Sequence, residues 1–358
     1  METKSRIKIF ASSIVFVAAC GQAEPGPLDA WLLAQLADNT ESSNSDVMNA
    51  YNRNAYNRNA YNRNSESTNL ASYQGVSYAG VKLGSDFIDN VTIEDGKLTG
   101  KRRSDNAKLT GSALKNAKLK GRYTDSSEVD IRIDDVVYDS TYDVDWSYAS
   151  VSFDSGATWQ PYCKNGEPVL PIVSRWSETS TRISDPTIFT FACDMAAIAK
   201  CVKWGYNPQR SKQECDGAGH CKQQQLDDWH EACTRLVTAD YCGDGVPHTR
   251  TGTPIDIYDN LDIQTRSGTL RGVEADWTAN GARCIRQTRW VNATGLGNDL
   301  AYVTSHCPER LAINNPVSCG GDPYKGNADV TNFPSSAGYS VDTSVRNLLR
   351  NDSYGFLP

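Results

Sequence analysis

The chain has 358 residues, which allows two or three domains. It carries 43 acidic against 36 basic side chains, a formal net charge of −7 at pH 7, and this balance argues against a nucleic-acid binder. An acidic chain gains no attraction to anionic lipid headgroups, so any membrane contact has to come from another source than a basic patch.

The N-terminus has the pattern of a bacterial lipoprotein signal. Three basic side chains precede an apolar run over residues 9–19, which is too short to span a bilayer. The run ends in Val-Ala-Ala before Cys20 and Gly21, the pattern that lipoprotein signal peptidase cuts. We therefore predict a signal peptide over residues 1–19, acylation of Cys20 with palmitate among the acyl chains, and a soluble body anchored to the membrane by lipid. Gly21, which is not the aspartate that retains lipoproteins at the inner membrane, favours the outer membrane, and the face of that membrane is left open.

A lipidated tether is predicted over residues 20–73. Within it, Ala-Tyr-Asn-Arg-Asn occurs three times in tandem over residues 50–64. A five-residue period matches neither helix nor strand, and one tyrosine per repeat cannot bury a core. The repeat is predicted to be a passive spacer; the alternative is an adhesive segment that contacts wall polymers through tyrosine and arginine.

Residues 74–158 are predicted to form a β-rich domain. Apolar residues alternate with polar ones over 129–133 and 144–153, and turn residues separate these runs. This pattern is typical of antiparallel strands in a small β sandwich or barrel. Two similar units, Asn-Ala-Lys-Leu-Thr at 106–110 and Asn-Ala-Lys-Leu-Lys at 116–120, are too few for a solenoid and are predicted to pair as a hairpin.

The region 159–310 mixes helices and strands, and 311–358 is predicted to be an irregular C-terminal extension. Apolar residues at three- and four-residue spacing predict helices over 194–204 and 226–241, followed by strand-like alternation. The fold class predicted for the whole chain is α+β, with an antiparallel β-rich body and a disulfide-stapled helical hairpin.

The cysteines predict a disulfide framework. Of the 11 cysteines, acylation of Cys20 leaves ten, all beyond residue 160, and an even number in an exported chain is typical of paired cysteines. If the two helices pack antiparallel, the inner two of their four cysteines pair with each other, and so do the outer two. Two cysteines that flank a short loop form a third bond, and two near the C-terminus form a fourth. The last two cysteines are paired because no other partners remain. The predicted bonds are Cys201–Cys233, Cys193–Cys242, Cys215–Cys221, Cys307–Cys319 and Cys163–Cys284.

A zinc site is the alternative use of some of these side chains. Thiolates and imidazoles are the ligands that zinc prefers, but their spacing here fits no common zinc finger and an exported chain favours disulfides. No metal and no cofactor are therefore predicted. The alternative ligand set consists of Cys215, His220, Cys221, His230 and Cys233.

Catalytic motifs are absent from the sequence: there is no Gly-x-Ser-x-Gly, His-Glu-x-x-His or phosphate-binding glycine loop. His230 and Glu231 on the second predicted helix, with Asp240 and Asp244 beyond it, are the alternative acid-base candidates. Structural roles are preferred for all four, because Asp240 precedes a tight Gly-Asp-Gly turn whose amides need acceptors. No catalytic residue is predicted.

The segments around these residues resemble a known family. Ala239, Asp240, Tyr241 and Cys242 spell its tetrapeptide, and further matches lie around Cys193, His230 to Arg235, residues 252–259 and 277–284. Over residues 159–308 the chain resembles the ADYC domain, a family of exported bacterial proteins that includes many lipoproteins of myxobacteria. The resemblance implies no enzymatic role and brings no catalytic set.

These patterns together predict a lipid-anchored cell-envelope protein that acts as a non-enzymatic binding or structural module. Its expected partners are the membrane, through the anchor, and an envelope protein or polysaccharide; nucleic acid is not expected, and the oligomeric state is left open. The alternative is an envelope hydrolase with a site near His230 and Asp240.

Overall fold

A computed structural model describes most of the chain beyond residue 72. The described residues are 73–163, 166–177, 181–215, 221–249, 255–259, 261–265, 273–289, 299–314 and 347–353. The chain divides into the units Met1–Ser42 and Ser43–Pro358, and every described residue belongs to the second. The predicted signal peptide, Cys20 and the repeat at 50–64 lie outside the described residues. No helix in the described ranges has the length and apolar character needed to cross a membrane.

Six antiparallel strands form a closed sheet. Each strand pairs with the next, and β1 pairs with both β13 and β6, which closes the ring β1-β13-β10-β8-β7-β6. The alternation noted in the sequence places the side chains of Ile131, Ile133 and Val151 inside the ring, where they are almost fully buried. The strands are β1 Tyr73–Ser77, β6 Ala117–Tyr123, β7 Glu128–Asp139, β8 Val144–Ser152, β10 Val169–Val173 and β13 Ile188–Cys193.

Four further strands extend this sheet from β6, in the order β6-β2-β3-β4-β5. The two Asn-Ala-Lys-Leu units start alike, because Asn106 and Asn116 both have left-handed backbone and Leu109 and Leu119 are both buried. They do not form the predicted hairpin: β5 pairs with β4, and β6 pairs with β7, β1 and β2. The added strands are β2 Lys82–Leu83, β3 Asp86–Glu94, β4 Lys97–Arg102 and β5 Lys108–Thr110.

Several short strands lie outside the ring. β9 pairs with the last residues of β8, and two hairpins are separate from the large sheet. These strands are β9 Gln160–Pro161, β11 Arg175–Trp176 paired with β12 Arg182–Ile183, and β14 Ser211–Cys215 paired with β15 Cys221–Gln225.

The predicted boundary at residue 158 is wrong, because β10 and β13 follow it and are needed to close the sheet.

Two helices follow the closed sheet, as predicted. Helix α1 spans Ala197–Lys203 and is followed closely by Gly205, whose φ is +97°. Helix α2 spans Asp227–Thr238, starts with two aspartates that favour its dipole, and ends at Ala239 with a φ of +52°. Helix α1 packs its apolar side on the outer face of the closed sheet, where its residues share a core with β8 and β10.

A second sheet of four strands packs on α2, in the order β16-β19-β17-β18. Its strands are β16 Ile255–Asp259, β17 Val273–Thr278, β18 Gly281–Ile285 and β19 Leu349–Ser353. Helix α3 at Asp299–His306 and a 3-10 turn at Pro308–Arg310 complete this half. The prediction of an irregular extension over 311–358 is wrong for β19, which is a buried inner strand with neighbours on both sides.

The predicted fold class is confirmed as α+β, with a mostly antiparallel β body and a disulfide-linked helix pair.

Candidate functional site

The turn after α2 holds two of the acid-base candidates in different settings. Asp240 is buried, accepts a hydrogen bond from the guanidinium of Arg235, and accepts another from the backbone N–H of Gly245 at 3.0 Å. Burial raises the pKa of Asp240, against the opposing charge of Arg235. Asp244 is exposed and accepts from the hydroxyl of Tyr302 at 2.8 Å. The predicted role of Asp240 as an acceptor for turn amides is thereby confirmed.

His230 faces away from this turn. It is fully buried in α2, its Nε2 lies 3.0 Å from the carbonyl oxygen of Ile198 in α1, and its ring meets the edge of Trp176. The imidazole therefore connects α2 with α1 and with Trp176. The contact places His230 among structural residues.

Glu231 and Asp240 are brought together through one arginine. The side chain of Arg235 lies between them, 3.8 Å from Glu231 and in direct hydrogen bond with Asp240. Glu231 also accepts from the backbone N–H of Arg182 at 3.0 Å, which ties α2 to β12. Burial raises the pKa of Glu231, although the Arg182 hydrogen bond and both arginine charges oppose the shift. Of the four candidates, the structure therefore joins two and separates His230 and Asp244 from them.

A second buried network surrounds Tyr241, and the sequence reasoning missed it. The Tyr241 hydroxyl donates to Glu274 of β17 at 3.0 Å, and Arg289 donates to both oxygens of that carboxylate at 3.0 Å. The guanidinium of Arg289 also donates to the carbonyls of Leu236 and Val237, near the end of α2. Burial alone would lower the pKa of Arg289, but the charge and the hydrogen bonds of the Glu274 carboxylate hold it above its ordinary value. No local pattern links these residues, because Tyr241, Glu274 and Arg289 are distant in the chain.

The residues of both buried networks lie within the part of the chain that matches a known family. The profile of the ADYC domain matches residues 111–291. The chain belongs to the ADYC domain family. The match begins earlier than the resemblance found by inspection, since it includes β6, β7 and β8 of the closed sheet, and it stops before α3 and β19. No curated protein and no solved structure matches the chain.

An aspartate-histidine pair connects the segment after the Ala-Asp-Tyr-Cys sequence to helix α3, which lies beyond the matched residues. His248 Nδ1 lies 3.1 Å from Asp299 Oδ1, and both side chains are nine-tenths buried. The imidazole lies between the rings of Tyr241 and Tyr302, with centroids 5.7 and 4.5 Å away. Tyr302 in turn stacks on His306. A carboxylate that orients an imidazole is a known acid-base arrangement, but His248 Nε2 is buried as well.

The disulfides of the ADYC domain differ in part from the prediction. Cys201–Cys233 and Cys215–Cys221 are confirmed. The predicted bonds Cys193–Cys242, Cys163–Cys284 and Cys307–Cys319 are wrong, because the structure instead contains Cys163–Cys193 and Cys242–Cys307. Cys284 is also in a disulfide.

The predicted pairing of Cys193 with Cys242 is wrong because of where Cys193 lies and how the two helices contact each other. Cys193 ends strand β13 of the closed sheet and is not part of α1. Along the two helices, Ile198 meets His230 and Cys201 meets Cys233, so the contacts advance in the same direction. These contacts between α1 and α2 therefore do not have the antiparallel order on which the pairing of the outer cysteines was based.

The zinc alternative is excluded for its cysteines, since Cys215, Cys221 and Cys233 are in disulfides. Among the described ranges, no group of three or more His, Cys, Asp or Glu side chains could hold a metal ion. His220 lies outside the described residues.

Exposed aromatic and apolar side chains concentrate on strands β7 and β8. Four of the eight large apolar side chains that are exposed in the described part of the chain lie on these strands or directly after them: Val137, Tyr138, Tyr148 and Phe153. The cross-strand pairing places Val137 and Tyr148 on the outer side of the strand pair and Tyr138 on the opposite side. We call the outer side of β7 and β8, with Tyr148 and Trp159, the outer β7–β8 face.

Proposed function

We propose that this ADYC-domain protein is a lipid-anchored module of the cell envelope that binds a partner without enzymatic activity. The observation that carries the proposal is that the acid-base candidates are engaged in contacts between packed elements, whereas exposed aromatic side chains concentrate on the β7 and β8 strands. The lipoprotein pattern at Cys20 supports the anchor, and Gly21 supports the outer membrane as its location.

The anchor is tested by metabolic labelling with a fatty-acid analogue. The natural chain should incorporate the label and partition with membranes, and Cys20→Ser should do neither. Continued labelling of the Cys20→Ser chain would overturn the anchor. This result would leave the binding part of the proposal untouched, because the described body does not include Cys20.

Binding is tested by co-sedimentation of the purified full chain with isolated envelope material from the producing cell. Detergent is present, so that acyl chains do not contribute. Saturable sedimentation supports a binding module. Failure to sediment with any envelope fraction would overturn it.

An envelope hydrolase is the second candidate, and the specific observation in its favour is the His248–Asp299 pair. Burial of Nε2 weighs against it, because a general base has to reach the proton that it removes. Release of soluble fragments from envelope polymers by the natural chain, and its loss in His248→Gln at unchanged melting temperature, would favour the hydrolase over the binding module.

A further inference from the structure

The outer β7–β8 face combines aromatic rings with a fixed polar group. Arg132 and Ser150 lie directly opposite each other in the β7–β8 pairing, and Asp134 accepts hydrogen bonds from both, at 2.6 Å from Arg132 Nε. Tyr148 lies one step further along the same face, opposite Asp135, and is 42% exposed. Partly exposed polar groups therefore lie next to an exposed ring on this strand pair.

Trp159 lies at the other end of this face and is held in place. The guanidinium of Arg132 lies 4.4 Å from the centre of its ring, and its Nε1 donates to the carbonyl of Gly156 at 3.1 Å. Asp154 organises the turn by accepting from the backbone N–H of Thr158 at 2.8 Å and from two hydroxyls. These hydrogen bonds, that of the Thr158 hydroxyl foremost, lower the pKa of Asp154 to about 2. The ring is thus positioned before any ligand arrives.

The spacing of the two rings suits an extended ligand. Trp159 directly precedes Gln160, which lies opposite Val151, so Trp159 corresponds to a position four residues beyond Tyr148 along β8. At the rise of an antiparallel strand, this separation is about 13 Å. Two rings at this distance with Arg132, Asp134 and Ser150 between them can contact successive units of a polymer.

The charges of this face are paired, although the chain as a whole is acidic. Three acidic side chains of β7 each meet a basic one, with N–O distances of 2.5 to 3.2 Å. Charges paired in this way offer little net electrostatic attraction to an anionic or cationic polymer. The pairs are Lys120–Asp130, Arg132–Asp134 and Lys115–Asp135.

A protein partner fits this face less well than a sugar chain. A protein surface that covered the Arg132–Asp134 pair would remove both charges from water, and this desolvation costs free energy unless further hydrogen bonds satisfy the two groups. Sugar hydroxyls both donate and accept, so one sugar can serve the guanidinium, the carboxylate and the Ser150 hydroxyl together. The C–H groups of a sugar ring can also pack on the electron-rich faces of Tyr148 and Trp159.

We propose that the outer β7–β8 face binds a neutral polysaccharide chain of the cell envelope, with Tyr148 and Trp159 as stacking platforms and Arg132, Asp134 and Ser150 as hydrogen-bonding groups. This inference rests on the binding function proposed above and names the chemical class of the partner.

The experiment divides envelope material of the producing cell into untreated, proteinase K-digested and periodate-oxidised portions. Periodate cleaves vicinal diols of sugars, and proteinase K removes protein. The full chain should sediment with the untreated and protease-digested portions and not with the oxidised one. Tyr148→Ala and Trp159→Ala should each weaken sedimentation at least about tenfold. Tyr138→Ala is the matched control, because Tyr138 is an exposed ring on the opposite face of the same strand pair, and it should bind as the natural chain does.

Each other outcome overturns a different statement. No sedimentation with any portion overturns the proposed binding function itself. Sedimentation that is lost after protease and kept after periodate leaves the binding function in place and shows a protein partner, which overturns the polysaccharide. Periodate-sensitive sedimentation that Tyr148→Ala and Trp159→Ala leave unchanged, at unchanged melting temperature, overturns the outer β7–β8 face as its site.

Discussion

Replacing Arg289 by methionine removes the cation that joins the end of α2 to β17. Arg289 is almost fully buried and donates two hydrogen bonds to Glu274, one each to the carbonyls of Leu236 and Val237, and one to Thr249. Methionine fills a similar space but donates none of them. The substitution therefore isolates the polar contribution of this side chain.

The expected cost follows from what remains around the carboxylate of Glu274. It keeps Tyr241 and Asn351 as neutral donors, at 3.0 and 2.8 Å, but becomes a buried charge without its arginine. Removal of one partner of a buried ion pair costs about 3–5 kcal/mol, so we expect Arg289→Met to lower the free energy of unfolding by about 4 kcal/mol. For a chain of this size, that loss lowers the melting temperature by about 10 °C.

Urea denaturation followed by tryptophan fluorescence measures the loss, and a double variant tests its cause. Glutamine at position 274 can still accept from Tyr241 and Asn351 without burying a charge, so Arg289→Met with Glu274→Gln should regain about 2 kcal/mol. Arg122→Met is the control, since Arg122 is an exposed arginine 3.8 Å from Glu128 and should cost less than about 1 kcal/mol. A loss below about 1 kcal/mol for Arg289→Met, or a double variant less stable than the single one, would refute the reasoning.

Three further predictions concern a disulfide, a glycine and a titrating group. Peptide mapping of the unreduced chain should find Cys284 joined to Cys319, the cysteine left when the four described bonds and the predicted acylation of Cys20 are counted; a free thiol at Cys284 would contradict this pairing. Gly243→Ala should lower the melting temperature more than Gly84→Ala. Both glycines have positive φ, but a Cβ at 243 would lie 2.0 Å from the Asn280 carbonyl oxygen, whereas a Cβ at 84 would meet open space. Equal decreases in melting temperature would contradict this reasoning. Burial raises the pKa of Glu231, so the stability that depends on its proton is complete below about 4.5 and is lost as the pH rises through the raised pKa. Glutamine stays neutral at every pH, so urea melts should show the natural chain losing stability relative to Glu231→Gln between pH 4 and pH 8. A stability difference that does not change with pH would refute this prediction.

Local sequence was sufficient wherever a side chain's environment is decided by its close neighbours. The alternation around Ile131 predicted a half-buried strand, and the spacing of apolar residues around Trp229 predicted a helix, because burial on one side repeats with the period of the backbone. The bond Cys215–Cys221 was predictable for a related reason, since the two cysteines close a loop of few residues.

The Asn-Ala-Lys-Leu units show where this information stops. Both units adopt the same local conformation, with a left-handed asparagine followed by a strand that buries its leucine. Their pairing partners differ, because the partner of a strand is chosen by the closing of the whole sheet. Cys193 was misassigned for this reason: it belongs to the strand that closes the ring and not to α1, and it is bonded to Cys163.

By itself, the sequence determined the strand and helix periods, the turn at Asp240, the local disulfide and the family. Tertiary structure alone decided β19, whose Leu-Arg-Asn-Asp-Ser sequence has no apolar alternation and yet is buried between two strands. Its polar side chains are buried because distant partners pair with them: Arg350 with Asp276, Asn351 with Trp277, and Asp352 with Tyr258. A hydrophobicity pattern reports burial only when apolar contact drives it, so a strand held by ion pairs and hydrogen bonds to residues more than 70 positions away leaves no local trace.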